Sequence, residues 1–190
     1  MKHKPVIRFS FTSREIRFAR DFGARRNKSK GGGVVTASGR DAIRDEAVGV
    51  LGEMAVGKLL GQHINTEIYE GGDDGVDFRY KGVTIDAKCT EYINGVLVFD
   101  EIEKFRSDVA FFVIVTYNDR DEYGRKLPVH QHTASAKIIG WLSKRQFIAN
   151  CVERKIGREV RVVVPQELLN PVETFYQYDV KADRKVTWRP

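Results

Sequence analysis

Gly75-Val-Asp-Phe-Arg-Tyr-Lys-Gly-Val-Thr-Ile-Asp-Ala-Lys-Cys-Thr90 is the stretch on which the fold turns. Val83, Ile85, Ala87 and Cys89 alternate with Thr84, Asp86, Lys88 and Thr90. That period of two predicts a strand with one side in a core and the other presenting a carboxylate beside an ammonium. Lys81-Gly82 separates it from a shorter run at residues 76–80, so the pair reads as a hairpin. Such a hairpin brings Asp77 close to Asp86. Two acids and a lysine on one sheet face outline a site for a divalent metal and a phosphate.

Before the hairpin, Thr12-Ser-Arg-Glu15 is a capping box that opens a helix through about residue 26, with Ile16, Ala19 and Phe22 as its apolar stripe. Residues 27–37 form a basic, Gly-rich loop that lacks the Gly-Lys-Ser/Thr of a P-loop. Ser38-Gly-Arg-Asp41 is a second capping signature, and the helix it opens runs to about Leu60, where Gly61 ends it. Between Glu46 and Leu60 only Glu46, Glu53 and Lys58 are charged, the pattern of a buried helix. A carboxylate at Glu53 among such neighbours is costly unless something pairs with it. Gly49, Gly52 and Gly57 each give up as much as ~1 kcal/mol of helix propensity, which makes sense where another backbone approaches closely.

After the hairpin, residues 94–100 read as a third strand and residues 101–106 as a short helix or turn. Residues 108–117 are an unbroken apolar run, as expected of a strand covered on both faces. Further strands are predicted at 136–142 and 159–164, with a helix at 143–150 capped by Ser143. Trp141 and Phe147 read as core residues and His63 as a surface residue. His130-Gln-His132 would need further Cys or His ligands to hold zinc, and none clusters with it, so it reads as a polar loop.

The chain of 190 residues is long enough for one domain with a real core. Its net charge of +6 is unevenly spread. Residues 1–45 carry 12 Lys/Arg against 4 Asp/Glu, residues 46–125 carry 8 against 16, and residues 126–190 carry 12 against 6. An acidic middle between basic flanks suits a metal-binding centre in a surface that attracts polyanions. Arg14, Arg17, Arg25, Arg26, Lys28 and Lys30 are the candidate phosphate contacts, expected to give salt-dependent, sequence-independent affinity for nucleic acid. Arg79 is a further candidate beside Asp77. No apolar run approaches the ~20 residues of a membrane span, and the N-terminus lacks a signal peptide's apolar stretch. Cys89 and Cys151 form no disulfide framework and read as buried thiols. Together these predict a cytoplasmic protein.

The order of Glu53 on a helix, Asp77 and Asp86-Ala-Lys88 on a hairpin, a third strand, a connector and a buried strand resembles the PD-(D/E)XK nuclease superfamily over about residues 39–117. Length and basic flanks are similar to small bacteriophage endonucleases. The resemblance implies an α/β, restriction-endonuclease-like core of helix, three-stranded antiparallel meander, helix and strand, with a mixed central sheet. Residues 1–37 would then be a basic helix and loop, 38–117 the catalytic core, and 118–190 a sheet extension and basic tail. It also implies a Mg²⁺-dependent endonuclease acting on DNA, with Mn²⁺ able to substitute. Asp77, Asp86 and the Ala87 carbonyl would hold the ion, Glu53 would bind a metal water or a second ion, and Lys88 would orient the attacking water. Asp73 and Asp74 stay open as alternatives to Asp77, and homodimerisation also stays open. A nuclease-fold DNA-binding protein without turnover is the alternative. The plainest reading of Asp86 and Lys88 is an exposed cross-strand salt bridge worth under ~1 kcal/mol.

Overall fold

The computed structural model describes residues 6–31, 41–68, 75–157 and 159–184. Its elements are β1 (Ile7–Ser10), α1 (Ser13–Ser29), α2 (Ala42–Leu60), β2 (Phe78–Tyr80), β3 (Val83–Thr90) and β4 (Leu97–Phe99). They continue with β5 (Val109–Asn118), β6 (Thr133–Ser143), α3 (Lys144–Asn150), β7 (Val152–Ile156), β8 (Glu159–Val164) and α4 (Val180–Arg184). Five strands form a mixed sheet in the order β1-β6-β5-β3-β2, in which only β3 and β5 run parallel. The protein is therefore α/β, as predicted.

Each predicted helix start is present as a bonded cap. Thr12 and Glu15 close a capping box on α1, Asp41 accepts from the Arg44 amide at α2, and Ser143 with Gln146 caps α3. Gly61 ends α2 in the left-handed region at φ 67°. The hairpin turn has φ of 49° at Lys81 and 81° at Gly82, the positive values that a tight two-residue turn between twisted strands requires.

α1 and α2 cover one face of the sheet. Ile16, Ala19 and Phe22 of α1 and most of α2 pack onto Val83, Ile85 and Ala87 of β3 and alternate residues of β5 and β6. The opposite face, through Ala110, Phe112 and Ile114, is covered by Leu97, Phe99, Phe105, Phe147 and Val164. With both faces covered, β5 is buried through seven consecutive residues. Phe175 is core and packs edge-on against Phe111 at 4.9 Å and Trp141 at 5.7 Å, whereas Tyr176 is exposed. Trp141 and Phe147 are buried, and His63 is exposed. His132 is also buried, between the Tyr117 hydroxyl at 2.8 Å and the Leu127 carbonyl at 2.9 Å.

The expected three-stranded antiparallel meander is not present. β4 pairs with β8 in a separate three-stranded sheet ordered β4-β8-β7. β5 takes one edge of β3 along its length and β2 takes the other only at Val83–Ile85, while β4 pairs with β8 and not with the rest of β3. β4 instead lays Leu97 and Phe99 across the far face of the main sheet, where Phe99 stacks on Phe105 at 4.4 Å. The expected second core helix is a single 3₁₀ turn, Ile102–Lys104. β1 and β7 had no clear sequence signal, being short or polar. The predicted Gly-rich loop at 27–37 begins later than expected, since 27–29 are the last turn of α1, and its residues 32–37 lie outside the described residues, as do Ser38, Asp73 and Asp74. No described helix is long and apolar enough to cross a membrane.

The glycines of α2 differ in purpose. A Cβ at Gly52 would stand 2.1 Å from Cys89 Sγ, so the helix rests directly on β3 there. Gly57 has the carbonyl of Gln62 and the Phe78 ring beside it, whereas Gly49 meets nothing within 4 Å and borders a cavity. Helix propensity alone would make Gly52→Ala stabilising by up to ~1 kcal/mol. Overpacking predicts the opposite sign, a loss of about 1–3 kcal/mol in urea denaturation. Part of that loss should return in the double variant with Cys89→Ala. A neutral or stabilising Gly52→Ala would contradict this packing.

Candidate functional site

Glu53, Asp77, Asp86, Ala87 and Lys88 line one cavity of about 280 Å³ at the edge of the main sheet. Each arrives there for a local reason. Seating α2 on Cys89 at Gly52 places the next residue, Glu53, beside the end of β3. The hairpin register pairs Phe78 with Ile85, so Asp77 stands across from Asp86. The Asp77 amide donates to the Ile85 carbonyl at 2.8 Å, and its Oδ2 accepts the Ala87 amide at 2.7 Å. That carboxylate thus takes a ladder donor that a longer β2 would have satisfied, and β3 runs on toward Thr90 without β2 alongside. At the other end of β3, Asp108 Oδ2 accepts from both the amide and the hydroxyl of Thr84 at 2.8 Å, while its own amide donates to Thr84 Oγ1 at 2.8 Å. This lock aligns β3 with β5 and had no distinct signal in sequence.

Asp86 is buried, at 3% exposure, so the exposed cross-strand pair expected on plain grounds is not what forms. Lys88, on the same strand, places Nζ 2.8 Å from Asp86 Oδ2. The same ammonium lies 4.9 Å from the Phe99 ring centroid. Burial draws the Lys88 pKa down, but the Asp86 carboxylate outweighs it and the net shift is upward. The Lys88 ammonium is therefore held charged beside Asp86. Asp77 is partly exposed at the cavity wall yet closely surrounded by protein. Its carboxyl is held well above the usual range, by desolvation first and then by the charges of Glu53 and Asp86. Burial, with Glu53 and Asp77 nearby, also pushes the Cys89 thiol up, so it stays protonated.

Glu53 is paired, as its setting demands. Arg26 of α1 grips it through two contacts, Nη1 to Oε1 and Nη2 to Oε2 at 2.9 Å, and lies over the Phe22 ring at 4.5 Å. Lys30 also borders the cavity and bonds Glu46 at 2.9 Å. The six basic candidates of the N-terminal segment therefore divide. Arg26 and Lys30 belong to the cavity, whereas Arg14, Arg17, Arg25 and Lys28 are exposed on α1. Arg79 is exposed on β2 and absent from the cavity lining. Asp45, also in the lining, was not singled out in the sequence because nothing distinguishes it from an ordinary first-turn helix acid.

Among the described residues no three His, Cys, Asp or Glu side chains stand in a ready metal-holding arrangement. Arg26, Lys88 and the Ala87 amide answer the carboxylates instead. The donor chemistry nonetheless fits a hard divalent ion, since Glu53, Asp77, Asp86 and the Ala87 carbonyl offer oxygen alone.

The raised Asp77 pKa has a signed consequence for stability. Because the folded value exceeds the unfolded one near 3.9, the folded chain binds the extra proton and stability falls as pH rises through that window. Asp77→Asn cannot ionise, and its side-chain oxygen can still accept the Ala87 amide. In EDTA the variant should therefore resist urea better than wild type at pH 7, with the advantage vanishing toward pH 4. A loss at pH 7, or a gain independent of pH, would show that Glu53, Asp86, Lys88 and Arg26 do not set this charge balance. In comparisons with known proteins, no family model, no characterised protein and no solved structure matches this chain.

Proposed function

We propose that the chain is a divalent-cation-dependent endonuclease that hydrolyses phosphodiester bonds in DNA, built on the PD-(D/E)XK pattern. The observation that carries this reading is the single cavity shared by Glu53, Asp77, Asp86, Ala87 and Lys88. Asp77, Asp86, Glu53 and the Ala87 carbonyl would hold Mg²⁺, with Mn²⁺ as a substitute. When bound, the ion supplies charge neutralisation for the phosphate and a more acidic water.

The chain's own side chains supply the rest. Lys88, kept charged by Asp86, offers a fixed cation to a phosphate oxygen and a donor that orients the attacking water. The ring of Phe99 under Nζ limits the directions that ammonium can take. Arg26 couples the site to α1, since its hold on Glu53 must loosen if that carboxylate is to meet an ion. The same clamp favours a second reading, a nucleic-acid-binding protein without turnover.

Plasmid DNA incubated with Mg²⁺, with Mn²⁺ and with EDTA separates the two. The expected outcome is cleavage with either ion, none in EDTA, and a loss of about a hundredfold or more in Asp86→Asn and Lys88→Ala. DNA retarded in a gel yet uncut with every ion would favour the binding protein. Neither cleavage nor retardation would dismiss both.

A further inference from the structure

The acidic cavity does not end at Lys88. Lys88 and Gly75 also border a second cleft of about 550 Å³, walled by Phe99, Asp100, Lys104, Arg106 and Arg161. The two spaces have opposite charge. Five carboxylates face three cations in the first, whereas Lys88, Lys104, Arg106 and Arg161 face only Asp100 in the second. Arg161 is engaged, 3.4 Å from Asp100 and 2.5 Å from Glu159. Lys104 and Arg106 are exposed, and neither has an ion-pair partner among the described residues.

These two cations are held on a fixed mount. Phe105 between them is fully buried, stacked on Phe99 at 4.4 Å and edge-on to Phe147 at 5.3 Å. An inward anchor flanked by two outward cations gives a short, rigid basic step. Gly75 ties that step to the acidic cavity: a Cβ there would lie 3.9 Å from both Arg106 Cβ and the Lys104 carbonyl. The basic step and Asp77, two residues beyond Gly75, therefore keep a set spacing.

We infer that the cleft is a binding track for the phosphodiester strand, with the phosphates next to the reacting one held by Arg106 and Lys104. This rests on the nuclease reading for the place of the reacting phosphate. It assigns the strand to residues that carried no motif in the sequence, and away from Arg14 and Arg17 on α1. A small anion needs one cation, whereas a row of cations leading from a charged site suits a repeating polyanion. Lys88 stands at the junction of the two spaces, so it faces the reacting phosphate on one side and the strand on the other.

The test is fluorescence anisotropy of a labelled 20-base-pair duplex, and of its single strand, with the full chain in EDTA over a salt series. Lys104→Ala/Arg106→Ala should weaken binding by about tenfold or more and flatten the salt slope by about 2, one unit for each lost contact. Arg14→Ala/Arg17→Ala should leave both near wild type. Both pairs alter exposed side chains, and circular dichroism with urea midpoints will confirm that they fold. Arg106→Glu should weaken binding further than Arg106→Ala. An unchanged affinity in the cleft pair, or a loss confined to the α1 pair, overturns the track. Cleft-dependent binding without cleavage by wild type supports the track and dismisses hydrolysis. Cleavage that the cleft pair performs as well as wild type does the reverse.

Discussion

Mutual repulsion among Glu53, Asp77 and Asp86 is the constraint that the surrounding structure answers. In a medium of effective dielectric constant about 20, two unit charges ~4 Å apart repel by about 4 kcal/mol, and by less as they separate, a large share of a domain's stability. Each carboxylate has its own answer. Glu53 has the Arg26 fork, Asp86 has the Lys88 ammonium, and Asp77 has an amide hydrogen bond and a raised affinity for a proton. Removing Arg26 from its nearly buried pair with Glu53 leaves that carboxylate uncompensated, at a cost of about 3–5 kcal/mol. A chain selected only for stability could fill this space with apolar side chains. The expense makes sense where the acids do chemical work.

The convergence depends on backbone features more than on the acids. α2 comes down onto β3 because residue 52 has no side chain, and this brings Glu53 to the sheet edge. β2 gives way at Asp77 because the Asp77 carboxylate accepts the next ladder amide. Had β2 continued, a neighbouring strand would cover the β3 edge where Ala87 and Lys88 now meet the cavity. Covering both faces of the main sheet fixes β5, and the Thr84–Asp108 lock passes that rigidity to β3. Asp86 and Lys88 thus project from one of the stiffest parts of the chain.

Local patterns made much of this legible from sequence. The period of two in residues 83–90, the Lys-Gly turn, the three helix caps and the apolar run in β5 each depend on neighbours within a few residues. β4 shows where that reasoning stops. Residues 94–100 signal a strand correctly, but the choice between β3 and β8 as partner rests on packing between residues far apart in the chain, such as Leu97 with Val164. The pairing of Arg26 with Glu53 was foreseeable only as a need: an acid in an apolar helix wants a cation, and sequence does not say which one. Lys104 and Arg106 read as ordinary connector residues until Phe105 is seen buried between them. The exposed arginines of α1 are the mirror case, conspicuous in sequence yet outside the cavity.

The division of charge between the two spaces bears on how a polyanion could approach so acidic a centre. With Asp77 protonated, the cavity lining still has one more carboxylate than it has cations. A phosphate entering alone would meet net repulsion, and the neighbouring phosphates of its strand would add to it. A basic cleft sharing a wall with the cavity offsets that repulsion along the strand instead of at the reacting centre. The carboxylates then need not be neutralised by protein cations, which would also weaken their hold on a divalent ion. Lys88 is the exception, and Asp86 moderates its charge. Separating strand attraction from ion binding lets each be strong without cancelling the other.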